Sequence, residues 1–124
     1  MITFDQQTYS DHEKGTYGDC TRAMVYTLAG KDLNLPHPIK DMKTWNMEFF
    51  EQLEEIHKLE LNFYPREKDF WPRFVGRCGI SPRGVRHVVV WDRENNEMAH
   101  DPHPSRHGLM PGTEDGWYVL NEVS

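Results

Sequence analysis

Residues 87–91 read HVVVW, a histidine followed by four consecutive apolar residues. A strand with one wet face alternates apolar and polar side chains, so an unbroken apolar run marks a central strand covered on both sides. Such a strand needs neighbours, and the second half of the chain supplies them. The runs LNFYP, RFVGRCGI, EMAHDP and GWYVLNEV are short, rich in β-formers and divided by Gly, Pro and Asn.

The first half has a different period. In CTRAMVYTLAG, Ala23, Met24 and Leu28 recur at helical spacing, and Gly30 is a natural stop. Asp19 stands at the N-cap position, which makes Cys20 the first helical residue. KDLNLPHPIKD holds two prolines and reads as a loop. A second helix is expected over TWNMEFFEQLEEIHKLEL, residues 44–61, with Phe49, Leu53, Ile56 and Leu59 on its apolar side and its charges opposite. The expected class is therefore α+β: an N-terminal helix carrying Cys20, packed on a C-terminal antiparallel sheet. The 124 residues, 37% hydrophobic and 12% aromatic, suffice for one core and are expected to form a single domain, 1–124.

Composition narrows the function. A formal charge of −6 offers no broad basic face, so nucleic acid is not an expected partner. Arg73, Arg77, Arg83 and Arg86 form the one basic concentration and read as a solvated rim. No run of about 18 apolar residues occurs, so no membrane span is expected. MITFDQQTYSDHEKG lacks a charged leader and an apolar stretch, so no secretory signal is expected and the cytoplasm is the expected compartment. There Cys20 and Cys78 would stay reduced, as two free thiols with separate roles.

The stretch RHVVVWDRENNEMAHDP, residues 86–102, pairs His87 with Asp101 if the strands close around a five-residue loop centred on Glu94. Directly opposed residues share a face, with Cβ atoms about 5 Å apart, close enough for an imidazole to donate to a carboxylate. A histidine held in this way is an acid or base in want of a nucleophile. Cys20 is the candidate, because a helix N-terminus favours the thiolate form of a cysteine. Asp101 would then orient the ring and stabilise its charged form.

The order of a helix-starting Cys, a His opening a strand and an Asp closing the next resembles the papain-like cysteine peptidase superfamily. HVVV…AHDP is similar to the bacteriocin-leader-processing peptidases. GDC, GISPRGVRHVVV and HDPHPSRHGL resemble short phage and bacterial papain-like cysteine peptidases, over roughly residues 5–35 and 74–110. The resemblance implies a papain-like fold, with nucleophile Cys20, base His87 and orienting residue Asp101. It also implies a peptide or protein substrate, no cofactor, and a bacterial or phage-infected host cytoplasm. Two positions depart from the pattern: Lys14 stands where those peptidases carry an oxyanion-binding Gln, and Thr21 where the leader peptidases often have Gly. Gln6 or Gln7 could return to the site, and Gln7 is the expected oxyanion donor beside the Cys20 backbone N–H. Asp19, Ser81, Arg83, Pro102, His103 and Ser105 are the residues expected around the substrate, with SPRG a turn at the cleft rim.

His100, Asp101, His103 and His107 crowd one stretch, but adjacent strand residues point to opposite faces and prolines extend the loop, so no metal is expected. Cys78, Trp91 and Trp117 read as core. Besides a hydrolase, the same residues allow an acyltransferase or transglutaminase-like enzyme, a catalytically retired module that binds a host protein, or a metal hydrolase on the His-rich loop.

Overall fold

The computed structural model describes residues 1–9, 18–38 and 42–123. Helices α1 (Cys20–Ala29) and α2 (Met42–His57) precede strands β1 (Leu59–Tyr64), β2 (Phe74–Ile80), β3 (Arg86–Asp92), β4 (Glu97–His100) and β5 (Gly116–Glu122). The strands form one antiparallel sheet in the order β1-β5-β2-β3-β4. The class is α+β, as the two periods in the sequence demand.

α1 begins at Cys20 and stops where Gly30 takes φ 78, its N–H closing on the carbonyls of Thr27 and Tyr26. Glycine adopts this left-handed conformation without a Cβ penalty, so the helix ends there. α2 ends earlier than its apolar period suggests. Lys58 turns left-handed at φ 55, and Leu59 and Leu61 belong to β1 rather than to the helix. Ile56 is consequently 64% exposed, while Trp45, Phe49 and Leu53, spaced by four, form the buried stripe.

Two apolar clusters cover the sheet. The larger joins Met24, Val25 and Tyr26 of α1 and Phe49 and Leu53 of α2 to Cys78, Val88 and Val90 of the sheet. The smaller packs Trp71, Val75, Trp117 and Val119, with Trp91 against it. Val88 and Val90 of β3 belong to the larger cluster, Trp91 packs against the smaller, and Val89 on the other face is 1% exposed, so the unbroken apolar run is buried on both faces. β3 is interior rather than central, since only the short β4 lies outside it.

The β3–β4 hairpin departs from the expected register. Its loop is residues 93–96, and Asp92 pairs with Glu97 and Trp91 with Met98. The Asp92 carboxylate shapes this turn by accepting from the backbone N–H groups of Glu94 and Asn95. Val90 then pairs with His100, leaving Ala99 as the extra residue of a β-bulge. Each change displaces the pairing by one residue, so His87 does not lie directly opposite Asp101. The two displacements together preserve parity, and Asp101 keeps the face that His87 uses.

If α2 is anchored through its buried stripe, Phe49→Ala should cost about 3–5 kcal/mol. Ile56→Ala should stay within about 0.5 kcal/mol of the parent. Urea unfolding of the two variants measures the contrast; equal losses would contradict this packing.

Candidate active site

The β3–β4 bulge and the turn after β4 bring Asp101 to His87. The His87 Nε2 and the Asp101 Oδ1 lie 2.6 Å apart, and the two residues are 5% and 1% exposed. Asp101 has further donors. Its Oδ1 accepts the His103 N–H at 2.9 Å and its Oδ2 the Gly108 N–H at 2.7 Å. The loop closes on itself through Arg106, which bonds the Asp101 carbonyl and forms a two-point ion pair with Asp5 at 2.6 and 2.7 Å.

Burial alone would raise the Asp101 pKa, but the bonds from His87, His103 and Gly108 outweigh it and hold the carboxyl at about 2. Burial would likewise depress His87. The Asp101 hydrogen bond, and then the Cys20 side chain through hydrogen bonding and charge, raise the ring to about 9. Cys20 and His87 are neighbours, and both line two small clefts, of about 110 and about 140 Å³. With Nε2 committed to Asp101, Nδ1 is the ring nitrogen left for the sulfur.

The N-terminal segment completes the site. Asp19, expected as a capping and substrate-facing residue, does neither: it makes no side-chain cap and is 1% exposed. Its carboxylate instead accepts the N–H groups of Gln7 and Thr8 at 2.7 and 3.0 Å, and it faces Arg22 and His37. The Gln6 N–H donates to the Pro102 carbonyl at 3.0 Å. This tether turns the Gln6 side chain into the cleft beside Cys20 and His87 and leaves Gln7 exposed. Gln6, not Gln7, is the glutamine at the site. Its Nε2 donates to the Thr8 carbonyl, and its buried Oε1 has no partner among the described residues. The tethers to Pro102 and Asp19 together decide which glutamine turns inward.

The remaining expected residues divide. Arg83 and His103 line the cleft, and Ser105 stands behind them, bonded to both. Ser81 is fully buried and Pro102 under 2% exposed, so neither presents a side chain to a substrate. Ser81 serves the rim turn, where the Gly84 N–H bonds its carbonyl at 2.9 Å. Tyr9 and Tyr118 are cleft residues that the sequence did not single out, and Arg86, expected in a solvated rim, lines both clefts. Lys14 and the rest of SDHEKGTY lie outside the described residues.

The His-rich stretch is dispersed. His100 reaches the Phe4 carbonyl and Asp5, and His103 bonds Ser105. Among the described residues no three His, Cys, Asp or Glu side chains are placed to hold a metal ion. Cys78 is buried in the core, where desolvation pushes its thiol up to about 12. No described helix is long and apolar enough to cross a membrane. A larger cavity, about 470 Å³, opens between the ends of both helices and β1 and β5, but it contains neither cysteine.

No protein-family model, no curated protein and no solved structure matches this chain significantly.

The buried pair has a definite pH signature. A ring raised from 6.5 to about 9 adds stability that is complete below pH 6.5 and lost as pH rises through 9. A carboxyl lowered from 3.8 to about 2 adds stability that is complete above pH 3.8 and lost as pH falls through 2. Asp101→Asn should therefore be most destabilising between roughly pH 4 and 6.5, with the deficit shrinking above pH 9. The His87 midpoint, followed by NMR of the imidazole, should fall in this variant; an unchanged midpoint would contradict the assigned cause.

Proposed function

We propose that this chain is a papain-like thiol hydrolase, a cysteine peptidase or close relative akin to the short phage and bacterial enzymes it resembles. It would cleave peptide or isopeptide bonds through an acyl-enzyme on Cys20. The observation that carries this reading is one row of side chains: Cys20 at a helix start, the His87 ring beside it, and Asp101 bonded 2.6 Å behind that ring. The helix bearing the cysteine packs on an antiparallel sheet that bears His87 and is followed at once by Asp101, which supports the papain-like comparison.

The chemistry follows from the order of the row. The Cys20 sulfur attacks the carbonyl carbon and forms the C–S bond, and the charge moves to the oxygen. Backbone N–H groups in the first turn of α1 have no intrahelical acceptor and suit that oxyanion, beginning with Cys20 itself. Gln6 stands where its amide can assist. The His87 imidazolium gives its proton to the leaving nitrogen as the C–N bond breaks. A water then attacks the thioester while His87 takes its proton, the C–S bond breaks, and the acid is released. Asp101 keeps the ring aligned through both transfers and favours its charged form.

Iodoacetamide at about pH 6 should label Cys20 at least tenfold faster than Cys78, read by peptide mass spectrometry, since Cys78 is buried and protonated. Cys20→Ala should reduce cleavage of a mixed peptide library by roughly 10³-fold or more. Slow, equal labelling of both thiols, or full biological effect of Cys20→Ser with no hydrolysis by the parent, would overturn this function.

A further inference from the structure

The chain carries 20 Asp and Glu against 14 Lys and Arg. The clefts beside Cys20 have the opposite character. Among the described residues no carboxylate lines either one, and the wall of the larger carries Arg83, Arg86, His87 and His103. Asp101 lies behind the His87 ring, outside the lining.

The two arginines differ. Arg86 is matched by Asp115 at 2.7 and 3.0 Å. Arg83 is exposed and has no acidic partner among the described residues; one Nη1 bond to the Ser105 Oγ, at 3.2 Å, is what positions it. That hydroxyl also meets the His103 Nδ1 at 2.9 Å, which ties Arg83 to a ring on the cleft wall. From behind, the Ser81–Gly84 turn fixes the backbone, with the Ser81 N–H bonded to the Val85 carbonyl and the Gly84 N–H to that of Ser81, both at 2.9 Å. The charge is felt locally: after burial, the Arg83 guanidinium is the largest influence holding the His103 imidazole below its ordinary value. A planar guanidinium with N–H groups still free is a two-point receptor for a carboxylate.

We propose that Arg83 makes this cleft selective for substrates bearing a carboxylate close to the bond that Cys20 attacks. The inference rests on the thiol-hydrolase reading and narrows its substrate class. A substrate could present that group from an acidic side chain or from a terminal α-carboxylate.

Two alkylating agents of nearly equal size test it. Each transfers a carbon to the Cys20 sulfur with loss of iodide; iodoacetate is an anion and iodoacetamide is neutral. Arg83→Gln should lower the ratio of the iodoacetate to the iodoacetamide rate roughly three- to tenfold, as expected when one charge is removed from the wall of a wet cleft. Arg83→Lys should retain most of the preference. Arg66→Gln, which removes an exposed arginine outside the cleft, should not alter the ratio. An unchanged ratio in Arg83→Gln overturns the inference and leaves the hydrolase reading standing. If iodoacetamide itself fails to label Cys20, both fall.

Protection of Cys20 from iodoacetamide separates the two carboxylate sources. Acetyl-Gly-Glu-Gly-amide protects if an acidic side chain is recognised, and acetyl-triglycine with a free carboxylate protects if a chain terminus is. Either protection should weaken in Arg83→Gln. Protection by neither peptide at millimolar concentration overturns the substrate assignment.

Discussion

A carboxylate removed from water is stable only when its lone pairs are taken up, and Asp101 shows how this fold meets that demand. One oxygen serves the His87 ring and the His103 N–H, and the other takes the Gly108 N–H. Gly108, at φ 71, gives the backbone the left-handed turn that aims this last N–H inward. The loop from Asp101 to Gly108 is thus shaped around a charge. Without that charge the His87 ring would lose its orientation and the loop its centre.

A second buried carboxylate performs a parallel task on the other flank. Asp19 precedes the nucleophile candidate in sequence, yet its side chain holds the N-terminal segment through the N–H groups of Gln7 and Thr8. The same segment bonds Pro102 through Gln6, and Arg106 reaches back to Asp5. Residues 5–8 therefore bridge the start of α1 and the loop after β4. Cys20 and His87 are far apart in the chain, and this bridge is one reason they stay together.

Much of this was legible in the residues, for identifiable reasons. The HVVVW run requires cover on both faces: the larger cluster takes Val88 and Val90, while Val89 is buried on the opposite face. Gly30 ends α1 because its conformation is local to one residue. The errors arise where a distant partner decides. Nothing in EEIHKLEL announces that Lys58 turns left-handed, because Leu59, three residues after Ile56, continues the helical period just where Leu59 and Leu61 begin the strand one. The bulge at Ala99 is silent in sequence too. His87 and Asp101 nevertheless meet, since two displacements of one residue restore the shared face and a short carboxylate reaches diagonally. Asp19 looked like a cap because aspartate commonly caps; the claim of two backbone N–H groups from residues 7 and 8 is a tertiary fact. That claim, together with the Gln6 bond to Pro102, explains why Gln6 turns inward rather than Gln7.

The two cysteines show how far environment outweighs residue type. Both are free, and both contact the same strand region, since Cys78 pairs with Val88 one step from His87. Cys78 faces the apolar side under α1, where desolvation outweighs the nearby Arg86 charge and leaves it a small hydrophobe at pH 7. Cys20 is half-buried at the helix start, beside a ring that Asp101 keeps protonated up to about pH 9. One residue along β3 separates the strand partner of Cys78 from the ring beside Cys20.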